Sequence, residues 1–576
     1  MKKITACCLL IILFFKVYSQ NWTWAEHGGG NLPDEANGCA MDLSGNMFIC
    51  GFFFSPSVNF GQGISLSNSG ISDGFLVKYN MIGITQWASR MKGSGEDKAT
   101  KCITDRWGNV FITGYFNSPS LQFGGNNAHA ISNFDGSGNT FDCFIAKYNS
   151  SGIPQWFKAI GKSDDDGGRG LSTDSSGNVY LTGWFRAPSI TIGSVTLYNE
   201  NLSGGTSDMF LAKYDSNGNV LWAKSIGSMD DEKGNSCVVD AEENVIVTGY
   251  CKGDSLNVEG VYHPLSGGKD AFLLKYNNSG NLLFTKIFGG LANEEPFSCS
   301  VDSLTNIYVT GNFTDNILTI DTAAVSNVGS SDVFLAKFSP SLQAIWIRGA
   351  GSSSSDEARS CATDKYGNTV ITGVFNGTSI SFENTLLNNN GGDEIFFAKY
   401  NANGDLYWAK KAGKSKDDGA NDCAISNEGK ILITGYYNSS SLTLGNFNMN
   451  NSYVGIATSD FFVGTTCNVL SRTDTVSACG AYTWMDGNSY TESNNTSVYF
   501  VPGDTTGTCD SMLILNLTIQ NIDTGIIFSA GVLTANAQNA TYRWLDCNSN
   551  YTPVPNQENI NFEPTINGSY AVEITK

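Results

Sequence analysis

Histidine is nearly absent from these 576 residues. His27, His129 and His263 are the three, and none stands at a spacing that would put two imidazoles on one metal or one beside a nucleophile. A Ser-His-Asp or Cys-His catalytic pair and a His-based zinc site are therefore not expected. Cations are also scarce: 34 lysines and arginines stand against 54 aspartates and glutamates, giving a formal charge of −20 and a pI near 4.5. Gripping a phosphate backbone needs the opposite balance, so nucleic acid is not an expected partner. The eight arginines are scattered, with no local grouping that suggests an anion clamp. Gly28-Gly29-Gly30 and Gly289-Gly290 precede no helical pattern and are not phosphate loops. Beyond Ile4 to Phe15 no stretch is apolar and long enough to cross a bilayer, and that one is too short. With Lys2 and Lys3 before it and Ser19 and Gln20 after it, it reads as a secretory signal over residues 1–20. The mature chain is therefore expected outside the cell, secreted or on its surface, with no transmembrane segment.

What the chain does have is a repeat. A strand ending in Thr-Gly-aromatic recurs as Thr113-Gly114-Tyr115, Thr182-Gly183-Trp184, Thr248-Gly249-Tyr250 and Thr434-Gly435-Tyr436, and Gly51, Gly311 and Gly373 hold the same place in three further copies. Successive glycines are 63, 69, 66, 62, 62 and 62 residues apart. A fixed long period points to a repeat architecture. In the second copy, Lys101 to Asp105 reads as a strand, Asp105-Arg106-Trp107-Gly108-Asn109 as a tight turn, and Val110 to Phe116 as a second strand. After a long connection come Asp142 to Tyr148 and, past a second turn, Ile153 to Ile160 with Trp156. Four-stranded antiparallel units repeated radially make a β-propeller. The seventh copy lacks its Trp-bearing fourth strand, and Asn21-Trp22-Thr23-Trp24-Ala25 near the N-terminus supplies one. The expected fold is all-β: a seven-bladed propeller over 21–465, closed by its own first strand so that no sheet edge is left open.

Two repeated positions read as core. Cys39, Cys102, Cys237, Cys299, Cys361 and Cys423 share one position with Leu171, so the site is small and buried, and disulfides between equivalent residues of different units are not expected. Trp87, Trp156, Trp222, Trp346 and Trp408, with Phe284 in one copy, are expected to pack between units.

A third repeated position is acidic: Asp34, Asp97, Asp166, Glu232, Glu294, Asp356 and Asp418 each precede the innermost strand. A ring of carboxylates there could bind Ca²⁺ or a cationic ligand. Alternatively each acid caps backbone N–H groups of its own turn, which the sevenfold symmetry favours. No cofactor is required; Ca²⁺ is the candidate metal. The long connections (117–141, 186–207, 251–269 and 314–331 in four copies) vary in length and sequence, which marks their face as the expected binding face.

These repeats resemble the SBBP-type β-propeller repeat, found mostly in bacterial secreted proteins, over about residues 21–465. The resemblance implies the fold and a bacterial extracellular setting but no single activity. Residues 466–520, with Cys479, Trp484 and Cys509, resemble a small Cys-containing β module of bacterial surface proteins, and Cys479 with Cys509 is the disulfide it suggests. Cys467 and Cys547 are further candidates. Residues 521–576 resemble an Ig-like or PKD-like module, so two small β-sandwich-like modules are expected after the propeller. Chains of this layout often carry a type IX secretion sorting domain, and none is visible here. The expected function is non-enzymatic: a monomeric adhesion or recognition scaffold presenting a binding face to an extracellular glycan or surface protein. The alternatives are an extracellular polysaccharide hydrolase or lyase using channel-mouth acids, and a purely structural envelope component.

Overall fold

The computed structural model describes residues 22–124, 129–136, 138–453, 458–467, 470–479, 481–501, 511–520 and 523–575. The expected signal segment, 1–20, lies outside them. No helix among the described residues is long and apolar enough to cross a membrane. The chain divides near residue 468 into two compact units, each described by itself below.

The first unit is built from seven four-stranded antiparallel groups among the described residues. In the second group the strands are Asp97–Thr104, Val110–Phe116, Asp142–Tyr148 and Pro154–Ile160. The turn between the first two follows from its residues. Asp105 Oδ1 accepts from the N–H groups of Trp107 and Asn109 at 2.9 Å, Oδ2 accepts from Asn109 Nδ2 at 2.7 Å, and Gly108 takes φ 77°. The same carboxylate-to-backbone turn recurs at Asp42, Asp174, Asp240, Asp302 and Asp364.

The Thr-Gly marker has a packing cause. Threonine Oγ1 donates to the facing third-strand carbonyl, as in Thr113 to Phe144 at 2.6 Å and Thr372 to Phe396 at 2.9 Å. The glycine that follows lies directly against a carbonyl of the innermost strand (Lys98 over Gly114, Lys233 over Gly249, Gly419 over Gly435), and a Cβ at any of these positions would collide with backbone.

The innermost strands of successive groups, Asp34–Met41, Asp97–Thr104, Asp166–Thr173, Lys233–Val239, Glu294–Val301, Asp356–Thr363 and Asp418–Ile425, pack side by side in chain order, and the seventh packs back on the first. The seventh group is completed from the other end of the chain: Trp22–Gly28 pairs with Asp460–Thr466, Trp24 facing Thr465.

Tryptophan packs between groups, as expected. Trp87, Trp156, Trp222 and Trp346 each donate Nε1 to a turn carbonyl of the next group, at Ser150, Ser216, Asn278 and Ala402, over 3.0–3.2 Å. The same carbonyls accept from Lys78, Lys147, Lys213 and Lys337 of the third strands. In the last group Thr465 stands where that lysine should be, and Lys430, from the first turn, reaches Met81 O of the first group at 2.9 Å instead. Trp408 has no such acceptor, and its buried Nε1 is unpaired. The seventh group has no turn between its third and fourth strands, because those strands come from opposite ends of the chain.

The long connections, expected as loops, fold as hairpins: Ser57–Asn59 with Ser65–Ser67, Ser120–Phe123 with His129–Ser132, Ser189–Ile192 with Val195–Tyr198, and so on through Ser441–Leu444 with Phe447–Asn450. Their first strands bury alternate apolar residues such as Leu121 and Phe123, or Ile190 and Ile192. Two hairpins pair onto the outer strand of the preceding group, at Phe123 with Met91 and Phe382 with Ala350. The second strands stay open to solvent, with Tyr198, Tyr262 and Leu386 exposed.

In the second unit Leu470–Cys479 runs parallel to Ser511–Gln520, with Val498–Val501 antiparallel to the latter, over a core of Trp484, Leu515 and Leu517. Two further three-stranded sheets enclose Trp544 with Ala535 and Phe562. Cys467 is disulfide-bonded and Cys547 is a free thiol. The expected Cys479–Cys509 pairing falls on Cys509 and the side chain of Cys479, which lie outside the described residues.

Candidate functional site

Each innermost strand carries a register shift, and each shift extrudes one residue. The shifts fall between Ala36 and Gly38, Ala99 and Lys101, Gly168 and Gly170, Gly234 and Ser236, Pro296 and Ser298, Ala358 and Ser360, and Ala420 and Asp422. The bulged residues are Asn37, Thr100, Arg169, Asn235, Phe297, Arg359 and Asn421, and all seven line a single cavity of about 300 Å³. Bulges re-aim side chains and cluster beside binding sites.

Four of the seven hold the ring together. Asn37 Nδ2 donates to Ala99 O at 3.0 Å, Thr100 Oγ1 to Gly168 O at 2.8 Å, Asn235 Nδ2 to Pro296 O at 2.9 Å and Asn421 Nδ2 to Ala36 O at 3.1 Å, each reaching the next strand around. Arg169, Phe297 and Arg359 make no such bond to a neighbouring strand's carbonyl among the described residues. Arg359 donates to Asn421 Oδ1 at 2.9 Å and pairs with Glu357 at 3.2 Å. Arg169 is exposed and reaches Asn235 Oδ1 only at 3.5 Å. The scattered arginines of the sequence thus include two that the fold brings to one cavity.

The floor of this mouth is an ion pair. Lys101 Nζ lies 2.8 Å from Asp422 across the first strand, where Gly38 leaves room. Asp422 also accepts from Cys39 N at 2.8 Å and Ser360 Oγ at 2.6 Å. Lys101 also lines a second cavity of about 680 Å³, bounded by the six repeated cysteines and Leu171. Those cysteines are free thiols, with Sγ turned to a carbonyl of the preceding group in five of the copies, for example Cys102 to Phe48. Burial pushes the Cys299 thiol up to about 12, so thiolate chemistry is not available there.

Of the residues that follow the Thr-Gly glycines, Tyr115 lines the cavity. Trp184 is half-exposed with Lys233 Nζ 4.2 Å from its ring centre, and Tyr250 carries Lys269 at 4.1 Å.

The seven acids, by contrast, do not line the mouth. Asp34, Asp97, Asp166, Glu232, Glu294, Asp356 and Asp418 are all fully buried, one per group. Asp166, Glu232 and Asp418 each tie the crossing from the previous group to the exit of a second strand, and the other four hold at least one of the two. Asp166 accepts from Lys162 N and Arg186 N, Glu232 from Ser228 N and Lys252 N, and Asp418 from Lys414 N, Asn438 N and Ser439 N; Asp34, Asp97, Glu294 and Asp356 take Ser55, Ser118, Gly290 and Ser352 N–H groups. Among the described residues no three His, Cys, Asp or Glu side chains come together as a metal site. A second buried acid opens each third strand, and six face the first set as Asp460–Asp34, Asp73–Asp97, Asp142–Asp166, Asp208–Glu232, Asp270–Glu294 and Asp332–Asp356.

Burial first, and the neighbouring acid after it, raise these carboxyls: Asp34, Asp97, Glu294 and Asp356 to about 7 and Glu232 to about 9. On the facing strands Asp142 rises to about 7 and Asp208 to about 8. The folded chain therefore holds protons that the unfolded chain releases near pH 4. This stability is complete below that pH and is lost as pH rises through about 6 to 9. Thermal unfolding is expected to show a midpoint several degrees higher at pH 5.5 than at pH 8.5, since each tenfold tightening of proton binding on folding is worth about 1.4 kcal/mol. A flat or rising midpoint would mean that the acids are ionised and compensated by a bound cation, which added Ca²⁺ and EDTA would then reveal.

No family model matches the chain. An uncharacterized WD repeat-containing protein of Acanthamoeba polyphaga mimivirus is 22% identical over 508 residues, covering 74% of this chain and 37% of that protein. The regulatory protein FlaEY of Caulobacter vibrioides is 27% identical over 174 residues, 30% of this chain and 17% of that protein. The chain thus spans well under half the length of either relative. Among solved structures, the Pan2 WD40 domain of Neurospora crassa overlaps 76% of this chain and 90% of its own, at 10% identity and a TM-score of 0.37. A PL25 ulvan lyase overlaps 71% and 93%, at 11% identity and a TM-score of 0.35. Overlaps of this size carry no argument about function. The repeated four-stranded antiparallel sheets, with the similarity to a WD repeat-containing protein, make this a propeller-like repeat protein.

Proposed function

We propose that the seven sheets are the blades of a closed propeller of SBBP type, secreted or held at a bacterial surface, that binds an extracellular glycan at its mouth without catalysis. The C-terminal unit, read as Ig-like or PKD-like modules, serves as spacer or anchor. The observation that carries this reading is the bulge ring: one scaffold position, repeated seven times, is filled by Asn, Thr, Arg, Asn, Phe, Arg and Asn. Four of these staple the ring, and the three that depart from the pattern give it a specific face. Its lining is mostly hydrogen-bonding side chains with Phe297 as an apolar wall, which suits a sugar. A protein interface needs a desolvated aromatic or aliphatic centre, and here lysines lie over the nearby Trp184 and Tyr250 rings.

The non-enzymatic reading rests on three acids near the mouth, each held by a cation; Glu35, at the repeat position of Glu295 and Glu357, is the exception, its pKa raised by burial. Asp422 is held by Lys101, Glu357 by Arg359 and Glu295 by Lys269. Glycoside hydrolysis needs two carboxyls free to act as acid and as base or nucleophile.

The test is binding of the full-length protein to a broad polysaccharide array, with and without EDTA. Selective binding that survives EDTA is the expected result. Loss in EDTA would make the buried acids metal ligands, and silence in both conditions would overturn the glycan reading.

A further inference from the structure

Resting on that reading, we propose that the mouth selects an anionic sugar, gripping a uronate carboxylate or a sulfate ester between the Arg169 guanidinium, Lys233 beside it and Arg359 across the cavity. In a chain of formal charge −20 this is a local reversal of sign. The charged side chains lining the cavity are Lys101, Arg169, Arg359 and Asp422. Lys101 and Asp422 neutralise one another at 2.8 Å, and Arg359 is offset by Glu357 at 3.2 Å. Arg169 makes no ion pair among the described residues. Its contact with Asn235 at 3.5 Å is marginal, so most of its five N–H donors face the cavity without an acceptor.

Lys233 reinforces this. It sits on the strand that carries Asn235, with its ammonium over the Trp184 ring and no carboxylate in ion-pair range among the described residues. Burial first, then the like charges of Arg169 and Arg186, pushes its pKa down to about 8 against the opposing pull of Asp231 and Glu295. Clustered cations with donors to spare are the arrangement that an incoming anion engages, and a planar guanidinium matches a carboxylate or sulfate with two parallel hydrogen bonds. Phe297 gives the sugar ring an apolar wall. A cavity of about 300 Å³ is at the small end of ligand sites, which suits a single charged residue of a chain.

The experiment is calorimetric titration of the full-length protein with oligogalacturonate and with sulfated galactan oligosaccharides that carry no uronate, each beside its neutral counterpart, methyl-esterified or desulfated. Arg169→Gln, Arg169→Lys and Arg359→Gln are titrated in parallel, with thermal midpoints to confirm folding. The expected result is binding of at least one charged saccharide, weakening with salt, with the neutral counterpart and Arg169→Gln weaker by roughly 10- to 100-fold. Arg169→Lys should fall between. The uronate and sulfate arms decide which anion is read. Equal binding of charged and neutral forms, with Arg169→Gln unchanged, would overturn the charge selection and leave the glycan reading standing. No binding of any saccharide by the unaltered protein would overturn both.

Discussion

Deletion of residues 22–30 is expected to abolish the folded monomer. The strand Trp22–Gly28 is the outer strand of the seventh group, in register with Asp460–Thr466. Trp22 meets Phe397 of the sixth group with ring centres 5.5 Å apart, Trp24 meets Tyr79 of the first at 4.9 Å, and His27 shares a hydrogen bond with Tyr437 at 3.0 Å. The segment therefore joins three groups at once. Its loss strips a strand from one sheet, opens the backbone of Asp460–Thr466 as an unpaired edge, and uncovers aromatic surface on both neighbours. The truncated protein should elute as aggregate and lose its cooperative thermal transition, and a synthetic peptide of residues 21–30 should restore part of it. Trp24→Ala alone should cost less, at most about 3–5 kcal/mol. A soluble truncated protein with an unchanged midpoint would show that the ring closes without this strand.

Asp422→Ala is the second change with a large expected effect, about 3–5 kcal/mol of stability read from the urea midpoint, because it leaves the half-buried Lys101 ammonium without its counter-charge. Asp422 lies on the seventh inner strand, yet its carboxylate receives Lys101 from the second group, Cys39 N–H from the first and the Ser360 hydroxyl from the sixth. One side chain thus knits four of the seven groups where the ring closes. Lys101→Met with Asp422→Leu should recover most of the loss, since an apolar pair of similar volume removes both charges together. If both single variants lie within about 1 kcal/mol of the unaltered protein, on the order of a surface pair, the carboxylate is not the keystone described here.

Much of this fold is legible in the sequence because it is written locally and then repeated. The Asp-x-x-Gly-Asn turn, the Thr-Gly strand and the tryptophan strand each carry their own reason within a few residues, and the period sets their number. The missing fourth strand of the last copy, and Trp22 and Trp24 waiting at the other end, are a difference between copies that any alignment of the repeats exposes. The hairpins are hidden for the opposite reason. Their alternation, Ser120-Leu121-Gln122-Phe123 or Ser189-Ile190-Thr191-Ile192, spans four residues inside connections of unequal length, and that unequal length is the stronger signal.

The acids are legible as a position but ambiguous as chemistry. Whether Asp97 faces solvent or the Ser118 hydroxyl depends on how one group packs on the next. The bulges leave the faintest trace. A bulge is a mismatch between two strands, so no single strand announces it. Its signature is the position two before the repeated cysteine, where Asn37, Thr100, Arg169, Asn235, Phe297, Arg359 and Asn421 differ while the residue before each stays small or is proline, as at Ala36, Gly168 and Pro296. Variation between copies is thus present in the innermost strands as well as in the long connections.

The most direct test of the bulge ring as the binding site is hydrogen exchange on the full-length protein with and without a saccharide that the array identifies. A mouth built from bulges predicts slowed exchange in peptides spanning 97–104, 166–173, 233–239 and 356–363, with the hairpins at 120–132 and 189–198 unchanged. Protection confined to those hairpins, or to residues 526–575, would place the binding face elsewhere and contradict the account.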